Sequence, residues 1–90
     1  MTPKEYAVKL IGKAFLIIQM ADKYSYLTKD EEKYFSVQIA INSVEEMLNN
    51  ELLTDLLQLP DEYPQKYKAI YQKMWLTDVK NELLKQQNNG

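Results

Sequence analysis

Thr2-Pro3-Lys4-Glu5-Tyr6-Ala7-Val8-Lys9-Leu10-Ile11-Gly12-Lys13-Ala14 is the stretch on which the fold turns. Threonine is a good N-cap, because its hydroxyl accepts a hydrogen bond from one of the unpaired backbone N–H groups of the first helical turn. Proline suits the first helical position, where its missing N–H is not needed. Glu5 stands three residues after Thr2, the spacing of a capping box. Apolar residues then recur at Ala7, Leu10, Ile11, Ala14, Ile17, Ile18 and Ala21, in steps of three and four that place them on one helix face. Val8, Phe15, Leu16 and Met20 widen that face, so this helix is expected to be covered on two sides. Gly12 in its interior is explained most simply by close approach of another helix.

The same start signal returns as Thr28-Lys29-Asp30-Glu31, after a connection at Tyr24-Ser25-Tyr26-Leu27. Asp30, Glu31 and Glu32 then fall in a first turn, where the positive end of the helix dipole favours them. The stripe of this second helix is Tyr34, Val37, Ala40, Ile41, Val44, Met47 and Leu48, and Asn49-Asn50 is expected to end it in a left-handed cap. Residues 51–59 hold five leucines, four of them paired at a spacing of four, which allows a short third helix before Pro60. In the last helix Tyr67, Tyr71, Trp75, Val79 and Leu83 recur every four residues, with Ile70, Met74 and Leu76 alongside. The expected helices are about 3–24, 29–49, 51–58 and 64–86, with a frayed tail at 87–90. Together they predict one all-α domain, an antiparallel three-helix bundle with a short extra helix at about 51–59.

Composition narrows the chemistry. At 46% apolar and 27% charged the chain is too apolar to be disordered. It has no His and no Cys, and all eleven of its cations are Lys. The usual neutral-pH base, the thiolate nucleophile and the commonest transition-metal ligands are therefore absent. The carboxylate pairs Glu31/Glu32, Glu45/Glu46 and Asp61/Glu62 could bind a hard cation or do acid–base work. Simpler roles suffice for them: a helix start, the polar side of a helix, and a loop. No enzyme activity, cofactor or metal is expected. The longest apolar run, Ala14 to Ile18, falls far short of the roughly 20 residues of a membrane span. Met1 leads straight into a helix start instead of a signal peptide, and the lack of Cys makes a reducing cytoplasm the expected compartment.

Charge is segregated along the chain. No lysine lies between Lys33 and Lys66, a region that carries Glu45, Glu46, Glu51, Asp55, Asp61 and Glu62. Such a segment either packs between two basic helices or presents an acidic face to a basic partner. Tyr67, Tyr71 and Trp75 pose a similar choice, because a Tyr/Trp stripe is either core or a binding hot spot. Lys66, Lys73 and Lys80 repeat every seven residues and so share an edge that could meet phosphate. An acidic chain without Arg disfavours that reading. The residues expected to form a protein interface are Tyr67, Tyr71 and Trp75, with Glu45 and Glu46 as an acidic rim. The surplus apolar surface of the first and last helices leaves room for a homodimer.

Three segments carry a resemblance. They are Thr2-Pro3-Lys4-Glu5-Tyr6-Ala7 leading to Leu10-Ile11-Gly12-Lys13-Ala14-Phe15, then Ala40-Ile41-Asn42-Ser43-Val44-Glu45-Glu46-Met47-Leu48, then Tyr71-Gln72-Lys73-Met74-Trp75-Leu76-Thr77-Asp78-Val79-Lys80-Asn81-Glu82-Leu83. In this order they resemble a group of short uncharacterised helical proteins of Bacteroidetes bacteriophages and prophages. The chain departs from that group in its leucine-rich 51–59 segment and in Leu76-Thr77. The resemblance implies a phage or prophage accessory protein acting in the host bacterial cytoplasm, and brings no catalytic residues with it. The leading expectation is a small non-enzymatic module that binds or inhibits a host protein, including one of a defence system. The alternatives are a virion or scaffold component and, third, a nucleic-acid accessory protein.

Overall fold

The computed structural model describes residues 1–24 and 26–88. Among them there is no strand, and four helices follow in order: α1 (Pro3–Ala21), α2 (Lys29–Leu48), α3 (Glu51–Leu57) and α4 (Pro64–Asn88). No helix among the described residues is long and apolar enough to cross a membrane.

Both threonine starts form, but not identically. The Thr28 hydroxyl accepts from Glu31 N–H at 3.1 Å, and the Glu31 carboxylate accepts from Thr28 N–H at 3.0 Å, a complete capping box. At Thr2 the hydroxyl accepts from Glu5 N–H at 3.1 Å, but it also donates to Glu5 Oε1 at 3.1 Å. The expected return bond from Glu5 to the backbone is replaced there by one between side chains. Thr28→Ala is therefore expected to lower stability by about 1 kcal/mol, and Thr2→Ala by less. Paired thermal melts check the order.

Helix ends differ from the sequence expectation where a side chain or a tertiary contact intervenes. α1 stops at Ala21, not near residue 24, because Asp22 turns the chain. Its N–H still bonds Ile18 C=O at 2.8 Å, while its carboxylate accepts from Tyr26 N–H at 2.9 Å and Leu27 N–H at 3.0 Å. Ser25, in the same connection, lies outside the described residues. The left-handed cap expected at Asn49-Asn50 does not form, since Asn49 has φ −93° and Asn50 φ −62°. Asn50 instead caps α3, accepting from Leu52 N–H at 2.9 Å and Leu53 N–H at 3.3 Å. α4 continues through 87 and 88, which were expected to fray; residues 89 and 90 lie outside the described residues. Gln86 and Gln87 are half-buried, and Lys85 in the last turn suits the negative end of the dipole.

The core joins α1, α2 and α4, each of which packs on the other two, while α3 packs on α4. Ala7, Val37, Ala40, Ile41, Val44, Leu76, Val79 and Leu83 form its buried centre, with Tyr6, Leu10, Ile11, Leu48, Trp75 and Leu84 around it. Ser36 is buried among them and satisfied, its hydroxyl donating to Glu32 C=O at 2.6 Å. The edges of the expected stripes fall outside this centre: Ile17, Tyr34 and Met47 are exposed. Among the described residues α1 is covered on one side only, and nothing there supplies the expected second cover. Nor does a helix approach Gly12, where an added Cβ would find no atom of the described residues within 4 Å beyond its own stretch of helix. The glycine thus weakens an exposed helix by about 1 kcal/mol relative to Ala, with no packing gain inside the fold.

The molecule measures 55 × 23 × 19 Å with a radius of gyration of 15.8 Å. A compact chain of this length would have a radius near 12 Å. The excess is elongation, and it leaves long helix faces in solvent.

Candidate functional site

The four-residue row of α4 winds around the helix. Each step of four overshoots a 3.6-residue turn by about 40°, so Tyr67 and Leu83 end on different sides. Val79 and Leu83 face the core, Trp75 lies at its margin, and Tyr67 and Tyr71 face solvent. Trp75 is half-buried with its ring 4.9 Å from that of Tyr6, at the start of α1. Of the expected aromatic interface it is the member held by the fold. Tyr71 is 70% exposed, and Tyr67 and Met74 on α4 and Tyr63 just before it are exposed as well. Tyr63 is absent from the sequence expectation, and Met74 stands there only alongside the row, not among the interface residues. Tyr63 could have been found by extending the four-residue row backwards, and Met74 by its spacing of seven from Tyr67.

The expected acidic rim lies apart from these tyrosines. Glu45 and Glu46 line a shallow polar groove with Asn42 of α2 and its C-cap Asn49, while Tyr71 and Trp75 line a separate, more apolar one with Lys68 and Gln72. Glu45 is also half-committed within the chain, its Oε1 3.3 Å from Lys80 Nζ. Among the described residues Glu46 makes no ion pair and is exposed.

Lysines of the expected phosphate edge are engaged in the same way. Lys66 donates to Asp61 Oδ1 at 2.6 Å, and Lys80 meets Glu45, which leaves only Lys73 of the three without a carboxylate partner among the described residues. The Lys66 hydrogen bond, then its charge, holds the Asp61 carboxyl below the ordinary carboxylate range. A depressed folded-state pKa stabilises the fold above the unfolded pKa, and the benefit is lost as pH falls through the folded value. Because Asp61 lies in solvent the effect on stability is small. NMR titration of Asp61 is expected to give a midpoint below 3.8, and Lys66→Met to restore it to the ordinary range.

A third surface lies outside the sequence expectation. Phe35 and Ile39, spaced by four outside the α2 core stripe, line an apolar groove with Ile18, Ala21, Tyr26 and Leu27. Gln38 sits in it, and its Nε2 is buried with no hydrogen-bond partner among the described residues. Among the described residues no three carboxylates gather as metal ligands. Comparison with known protein-family models, curated proteins and solved structures returned no match.

Proposed function

We propose that the chain is a non-enzymatic protein-interaction module that engages its partner through Tyr67, Tyr71 and Met74 on α4. The observation that carries this reading is the solvent exposure of those side chains on a helix whose opposite side is firmly packed. Tyrosines on a rigid helix offer large contact area with little conformational entropy to lose, which suits a binding hot spot. The fold in this proposal is one domain, an up-down-up antiparallel bundle of α1, α2 and α4 with α3 as a lid. The contacts of Tyr6 with Trp75 and of Glu45 with Lys80 support that arrangement. The resemblance extends the proposal to a phage or prophage accessory protein that occupies a host protein in the bacterial cytoplasm, a defence component among the candidates.

The test is capture from bacterial lysate with tagged wild-type protein beside a Tyr67→Ala/Tyr71→Ala variant. The expected result is a partner held by the first and lost by the second. Equal recovery by both, or repeated recovery of none, removes the proposal. A structural or assembly role is the second reading, favoured by the 55 Å length and by a separate exposed apolar face on α1.

A further inference from the structure

The chain exposes more surface than its size requires. A folded monomer of 10.6 kDa is expected to present about 5,500 Å², whereas this one presents 6688 Å². The surplus, roughly 1,200 Å², exceeds the approximately 800 Å² that each partner gives up in a stable interface. Part of the exposed apolar surface lies along α1. Val8, Leu16 and Met20 are exposed there, the last two at 61% and 77%. With Gly12 they form one row at steps of four, on the side away from the buried Ala7, Ala14 and Ile18.

The row is self-complementary when reversed. Laid antiparallel about a two-fold axis between Gly12 and Leu16, it sets Leu16 of each copy over Gly12 of the other, and Val8 against Met20. Leu16 is the knob, and the bare backbone at Gly12 is the space that receives it. The charges agree with this direction. The last turn of α1 has no basic residue of its own, and the reversal brings Lys9 of the second copy toward that negative helix end. It also turns Glu5 toward Lys23. A parallel pairing would align Lys4, Lys9 and Lys13 with their own copies and repel. We infer that the outer row of α1 is a two-fold, antiparallel docking surface for a second copy of this chain, with Gly12 the point of closest approach.

This pairing is independent of the α4 tyrosines, so its failure and that of the partner-binding proposal are separable. Sedimentation equilibrium of the full chain is expected to show a concentration-dependent dimer. Leu16→Asp should weaken it at least about a hundredfold, because symmetry counts the lost apolar contact twice. Tyr71→Ala should leave it unchanged. Gly12→Leu should raise the melting temperature of the dilute chain, as a better helix former, while weakening the dimer. Orientation is read by oxidative cross-linking, since the chain has no cysteine of its own. An equimolar mixture of Val8→Cys and Met20→Cys chains should give the mixed disulfide, and Val8→Cys alone should not, its two copies being about 18 Å apart along the helix. A monomer at all concentrations, a dimer indifferent to Leu16→Asp, or ready cross-linking of Val8→Cys alone each overturns the inference.

Discussion

Leu83→Ala is expected to lower the free energy of unfolding by about 3 kcal/mol, within the range of roughly 2–5 for truncating a buried leucine. Leu83 is 0% exposed and belongs to the one cluster that joins α1, α2 and α4. Its neighbours there, Val37, Ala40, Ile41, Val44 and Val79, are β-branched or small and fixed on helices. They have little freedom to close the cavity, which is the condition under which the cost is large. A domain of this length has a total stability of roughly 5–13 kcal/mol, so one substitution removes more than a fifth of it. At about 4–8 °C per kcal/mol the melting temperature should fall by roughly 12–24 °C. In urea the midpoint should drop while the slope stays constant, the sign of lost stability without a change in exposed surface. Leu52→Ala is the control, because Leu52 is an exposed leucine of α3 and its loss should fall within about 0.5 kcal/mol of neutral. Equal melting of the two variants would show that α4 does not close the core as described.

The helix starts were legible in the sequence because capping is a local matter. Thr28, Glu31 and the N–H groups they satisfy are three residues apart, so the pattern contains its own partners. α1's end was not legible, since Asp22 reaches forward to N–H groups of a connection whose shape the pattern does not state. Nor was the fate of the lysine edge. Asp61 lies near Lys66 in the chain, but Glu45 reaches Lys80 only because α2 and α4 pack together. Gly12 illustrates the same limit from the other side. Its sequence context speaks of close helix approach, and the fold leaves the position open. The signal and the structure agree only if the approaching helix belongs to another molecule.

The aromatic row of α4 divides in the same physical way, and a second substitution series reads the division. Tyr67→Ala/Tyr71→Ala is expected to leave the melting temperature nearly unchanged, because both side chains stand in solvent and truncation opens no cavity. The same change should weaken binding of the captured partner at least thirtyfold, the equivalent of about 2 kcal/mol for a hot-spot residue. Trp75→Ala should behave in reverse as regards stability. It is partly buried and packs on Tyr6, so about 2 kcal/mol is lost from area and ring contact together. Trp75 also borders the groove that Tyr71 lines, but it is less exposed than the tyrosines, so it should affect binding less than they do once measured well below its melting point. Thermal denaturation and titration calorimetry on the three proteins make the comparison. If the double tyrosine variant melts as early as Trp75→Ala, those tyrosines hold the fold and the interface lies elsewhere. If it melts with wild type and binds with wild-type affinity, the exposed row has no part in recognition.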